Sequence, residues 1–180
     1  MRAALALYES DHGTLPPLCL RDNLGRPIQS WRALILPPWG FGISTQLNLS
    51  QPWNSDFNRQ IIDSIPPGDW VWFARDRAEM KPPVSTHILA YLGRGSIWDA
   101  KTGLPKGKIK EHPDAIMLIW VPQSSLHPLQ PGDITEEEVR ERVEKGEEIL
   151  FCAADEGYRY GIVTIERGEL VFHGREGRPQ

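Results

Sequence analysis

The side chains able to do chemistry are few and scattered along the chain. Histidines stand at His12, His87, His112, His127 and His173, and no two are four residues apart. A zinc site of the His-Glu-x-x-His kind needs two imidazoles on one face of a helix, and that spacing is missing. Asp11-His12, His87, His112-Pro113-Asp114 and His127 each read as turn or surface residues. An enzyme would need the fold to gather groups around His12, His112 or Asp155. There is no Gly-x-Ser-x-Gly and no phosphate loop, and Gly93-Arg94-Gly95 is only a fragment of a dinucleotide fingerprint. Asp155-Glu156-Gly157 has a turn composition, without the alternating oxygen ligands of a calcium loop. Cys19 and Cys152 lie among apolar neighbours (Leu18 and Leu20, Phe151 and Ala153) and read as small buried hydrophobes, with one long-range disulfide as the alternative. The expectation is a protein with no catalytic residues, no cofactor and no metal.

Tryptophan is the more conspicuous residue type. Of the seven, Trp39, Trp53 and Trp98 fall in segments read as loop or element edge. Aromatic rings in such places can stack on sugars or anchor a partner protein. The plainer reading makes them plugs in the core of a loop-rich domain, because tryptophan is highly buried on average.

The elements that must position these residues follow from composition and punctuation. With 180 residues, 40% hydrophobic and 24% charged, the chain can bury a core without staples. Gly and Pro, sixteen each, predict short elements and long loops. One domain is expected over 1–174, with a flexible tail over 175–180. The formal net charge of −4 equals that of the acidic stretch Thr135 to Glu148, and the rest balances. A nucleic-acid binder would show a basic face, so none is expected as a partner. No run reaches 18 apolar residues, so no membrane span is expected, and no secretory signal is visible.

Residues 3 to 8 are helix formers stopped by Gly13 and Pro16-Pro17, and read as the last two turns of a longer helix. The stretch from Ser30 to Leu36 is ambiguous by periodicity. A helix capped by Asn54 or Ser55 presents Phe57, Ile61, Ile62 and Ile65 on one face and ends at Pro66-Pro67. Strands are expected at Trp70 to Phe73, at Ile88 to Leu92, and at Ala115 to Val121, the last buried on both faces. Residues 93 to 113 read as a long loop. Thr135 and Glu138 form a capping box, with Ile134 and Val139 as its staple and i,i+4 pairs Glu136–Arg140, Glu138–Arg142 and Glu141–Lys145. A terminal meander follows, with Arg167-Gly168 turning its hairpin.

Three blocks carry a family resemblance: Tyr8-Glu-Ser-Asp-His-Gly-Thr-Leu-Pro-Pro17, Gly25-Arg-Pro-Ile-Gln-Ser-Trp-Arg-Ala-Leu-Ile-Leu-Pro37, and Gln51-Pro-Trp-Asn-Ser-Asp-Phe-Asn-Arg59. Together they resemble the DUF1559 family of planctomycete pseudopilin-like proteins, which carry a type II secretion kind of N-terminus. The likeness continues more weakly through Thr86 to Trp98, Pro131 to Thr135 and Leu150 to Gly157. This sequence departs from the family in having Phe73-Ala-Arg-Asp76 where a Cys-Pro pair is usual, and in lacking the leader and long apolar helix. The resemblance implies an α+β, pilin-like fold, with the end of an N-terminal helix packed on an antiparallel sheet. It also implies a non-enzymatic subunit of an exported, membrane-anchored or cell-surface assembly, meeting other subunits or itself through that helix. Leu5 and Leu7 would then be the contact residues. The rival is a carbohydrate- or protein-binding module using Trp39, Trp53 and Trp98.

Overall fold

The computed structural model describes residues 1–36, 46–66, 84–122, 124–154 and 160–175. It is of the α+β class, and its chain divides into two compact units: Met1–Thr86 with Ser125–Gly132, and His87–Ser124 with Asp133–Gln180. The span read as one domain thus holds two centres of packing, each described by itself below. Trp70, Trp72 and the strand expected around them lie outside the described residues, as does Asp155.

The first unit opens with helix α1 (Arg2–His12), which ends where expected: Gly13 takes φ 77° and its N–H donates to the Glu9 carbonyl at 2.7 Å. Strands β1 (Cys19–Arg21) and β2 (Pro27–Ser30) form an antiparallel pair. Their turn is held by Asp22, whose Oδ1 accepts from the N–H groups of Leu24 and Arg26, both at 2.9 Å. The ambiguous stretch resolves into one turn of helix, α2 (Trp31–Leu34), because the Ser30 side chain caps it. Its Arg32 is fully buried, donating from Nη1 to Ser30 Oγ at 2.8 Å, with its guanidinium 4.7 Å from the Trp31 ring centre.

Helix α3 (Asp56–Asp63) is capped by Ser55, as the sequence reads. Its buried face differs from the expected one. Phe57 is 52% exposed, and the position turned inward is Asn58, which is fully buried. The reason is hydrogen bonding: Asn58 Oδ1 accepts from Asn48 N–H at 2.8 Å, while Nδ2 donates to the Asn48 and Pro52 carbonyls at 3.1 and 2.9 Å. A polar side chain with three partners can occupy the core where an apolar ring would leave the Asn48 N–H unsatisfied. Ile62 joins Ala33, Leu36, Leu47 and Leu129 in the core cluster, with Ile61, Ile65 and Trp53 packed against it.

The second unit is built on a six-stranded sheet in the order β5-β3-β4-β6-β7-β8. Its strands are β3 (Ile88–Leu92), β4 (Ile116–Trp120), β5 (Ile134–Thr135), β6 (Leu150–Ala153), β7 (Tyr160–Glu166) and β8 (Glu169–Arg175). All pairings are antiparallel except β3 with β5. Strand β4 is buried along Ile116 to Ile119, as its unbroken apolar run predicts. Arg167 (φ 51°) and Gly168 (φ 82°) both take the left-handed conformation of a two-residue hairpin turn. Strand β8 continues through Gly174 to Arg175, the first residue of the expected tail.

Helix α4 (Glu136–Glu144) carries the capping box at Thr135 and Glu138. Arg140 lies 3.9 Å from Glu136 and Lys145 3.7 Å from Glu141. The third expected pair does not form: the Glu138 carboxylate is bonded to Thr135, and Arg142 turns to Glu147 at 2.8 Å. The long loop has internal order. Ser96 bridges to Ile116, Trp98 bridges to Pro105, and the Asp99 carboxylate ties down the N–H groups of Lys101 and Thr102.

One glycine of the sheet is sterically required. A Cβ on Gly161 would lie 1.8 Å from the His173 carbonyl oxygen of β8 and 2.9 Å from the Phe151 ring. Backbone cannot yield as a flexible side chain does, so Gly161→Ala is expected to force β7 and β8 apart and destabilise by about 3 kcal/mol. Urea unfolding of the variant checks this, and an unchanged midpoint would mean that the strands sit farther apart.

Candidate functional site

The residues singled out by sequence are distributed over both units. On α1, Leu5 is fully buried and Leu7 is 47% exposed. The two leucines are two residues apart, about 200° around a helix, so one packed face turns the other outward. Leu5 is therefore a core residue, which removes it from any contact surface, and Leu7 is the one available. His12 at the helix end stacks on Tyr8, with ring centres 4.0 Å apart, and its Nδ1 lies 3.0 Å from the Tyr8 carbonyl.

Among the three tryptophans, Trp98 is fully buried, with its backbone N–H bonded to Ser96 Oγ at 3.0 Å. It plugs the core beneath the 93–113 loop and has no face to offer a sugar, so this candidate is corrected to a packing residue. Trp53 is half-buried and stacked on His127, with ring centres 4.7 Å apart and planes 14° from parallel. Trp39 lies outside the described residues.

His127, which the sequence reads as a turn or surface residue, is instead half-buried against Trp53. Its Nδ1 accepts from the Leu129 N–H at 3.2 Å, which leaves the proton of the neutral ring on Nε2. Burial penalises the charged imidazole and lowers its pKa to about 4, opposed only in part by the Asp63 carboxylate. A neutral, stacked ring of this kind is a structural element near pH 7. Cys19 and Cys152 are half-buried thiols, and among the described residues no three His, Cys, Asp or Glu gather as a metal would require.

The second unit holds a shallow cleft of about 320 Å³ on one face of its sheet. Phe151, Ala153, Leu170 and Phe172 line its floor, with Arg94 and Asp114 among the walls. Phe172 makes edge-to-face contacts with Phe151 and Tyr91, at 5.3 and 5.4 Å between ring centres. The fully buried Tyr91 hydroxyl sits against Gly93. Burial and the nearby Glu136 carboxylate raise its pKa, so it stays a neutral phenol. Arg94 reaches Glu169 at 3.2 Å, and both side chains are two-thirds exposed. An aromatic floor beside an exposed charge pair can hold an apolar side chain of a partner. Arg94 and Asp114 come from loops with no helical or strand period, and the sequence carries no signal that joins them. No protein family, curated protein or solved structure matches the chain.

Proposed function

We propose that this chain is a non-enzymatic, pseudopilin-like globular head, a structural or interaction subunit of an exported or cell-surface assembly. In this reading α1 is the end of the helix through which such subunits meet, and its outer face carries the contact. The observation that supports it is the division of α1 into a packed side at Leu5 and an open side at Leu7. A helix on a finished surface needs one apolar stripe only, and Leu7 stands outside that stripe. Covering its exposed half on association is worth about 1 kcal/mol, so contact through this residue alone is weak.

Sedimentation velocity across a concentration series tests the reading. Wild type is expected to associate, and Leu7→Glu to associate measurably less with an unchanged melting temperature. Leu5→Glu is unsuitable because it buries a charge. If Leu7→Glu associates as strongly as wild type, α1 is not the contact and the proposal is overturned. The alternative of a binding module using loop tryptophans is weakened by the burial of Trp98.

A further inference from the structure

The six-stranded sheet is strongly curled. In a flat sheet β3 and β8, four strand spacings apart, would stand about 19 Å from each other. Yet the Tyr91 ring of β3 meets the Phe172 ring of β8 at 5.4 Å between centres, and Arg94, just past β3, reaches Glu169 at the start of β8. One face of the sheet is therefore the inside of a partly closed barrel. Register places Leu89, Ile119, Phe151, Gly161 and Gly174 in one row across that face. The row ends in two glycines. The Phe151 ring lies against Gly161, and Gly174 has no side chain, so the floor beside Phe172 is left bare. The cleft of about 320 Å³ stands at this place, and all of its lining residues are among those described. Mouths of β-barrels are frequent small-ligand sites, and this volume lies at the lower end of such pockets.

We infer that this cleft binds a small aromatic carboxylate, its ring against Phe151 and Phe172 and its charge on Arg94. The rings of Phe172, Phe151 and Tyr91 already form an edge-to-face cluster, which one further ring extends. Arg94 is the one cation among the lining residues. Among the described residues its guanidinium makes one hydrogen bond, to Glu169 at 3.2 Å, which uses a small part of its donor fork. The Glu169 carboxylate shows that an anion can sit on that fork. An exposed pair of this kind is weak, so a ligand carboxylate can share or displace it. Asp114 on the wall disfavours a second negative charge, which limits the ligand to one carboxylate. The inference concerns the second unit alone and is independent of the role proposed for α1.

Titration of the whole chain with sodium 3-phenylpropionate, followed by backbone amide shifts, is the test. Binding is expected at about 1 mM, with the shifts concentrated at Gly95, Phe151 and Gly174. The neutral 3-phenylpropanamide is expected to bind wild type about tenfold more weakly, and Arg94→Gln to erase that difference by weakening the acid alone. Glu169→Gln, which removes the competing carboxylate, is expected to tighten the acid about threefold and leave the amide unchanged. Gly174→Val places a side chain on the bare end of the row and is expected to abolish binding of both probes. Gly174 is exposed and takes no positive φ, so the strand accepts a β-branched residue there. Three results would overturn the inference: no shifts at roughly ten times the expected constant, an acid preference that survives Arg94→Gln, or binding untouched by Gly174→Val. Circular dichroism and melting of each variant separate lost binding from lost fold.

Discussion

Lowering the pH from 7 to 4 is expected to remove about 3 kcal/mol of stability through His127 alone. In the fold its pKa is about 4, whereas an unfolded imidazole titrates near about 6.5. Between those values the unfolded chain takes up a proton that the folded chain refuses. The contribution is therefore fully present above the unfolded pKa, falls as pH drops through the window, and levels off below the folded pKa. The cause is geometric: a half-buried ring pressed on Trp53, with Nδ1 already accepting from Leu129. Urea unfolding at several pH values, for wild type beside His127→Gln, isolates the term from the carboxylates that also titrate. The difference between the two profiles should shrink steadily toward pH 4. Parallel profiles would mean that His127 protonates as readily in the fold as out of it.

Asn58 carries the second large effect. Asn58→Leu keeps the branched shape of the side chain but is bulkier, and it strands the Asn48 N–H; the Asn48 and Pro52 carbonyls each keep one donor, the N–H groups of Gln51 and Ser55 at 3.1 and 3.0 Å. The unsatisfied N–H costs about 1–3 kcal/mol and the bulkier side chain overpacks the site, so a loss of about 3 kcal/mol is expected. Phe57→Ala, one residue away on the exposed side, should change stability by less than about 1 kcal/mol. Equilibrium unfolding of both variants tests the assignment of the helix faces. The apolar-face reading of the sequence predicts the reverse order, so the two results cannot be confused.

That reversal shows where sequence reasoning reaches its limit. Phe57 and Asn58 are adjacent, and a helical period alone favours the ring as the inward residue. The outcome depends on two carbonyls and one N–H supplied by Asn48 and Pro52, ten and six residues upstream, whose course no local pattern fixes. Arg32 is a like case: its burial relies on the Trp31 ring beside it and on the Gly132 carbonyl, a hundred residues along the chain. Trp98 sits in a segment correctly read as loop, yet that loop folds over its own tryptophan through the Ser96 and Pro105 bridges.

What the amino-acid sequence determined by itself is closed within a few residues. The Thr135–Glu138 box, the Ser55 cap, the Gly13 stop and the Arg167-Gly168 turn all stand where their residue types put them. Each is satisfied by atoms of its own neighbourhood, so no distant segment can overrule it. The apolar run of β4 was legible too, because burial on both faces leaves no other pattern. Tertiary structure decided which side of each element is covered. It set Leu5 inside and Leu7 outside one helix, drew Trp53 over His127, gathered Arg94 and Asp114 at one cleft, and left β8 at the end of its sheet. Burial, pKa and edge position are sums over contacts between segments far apart in the chain, and those contacts exist only once the chain has folded.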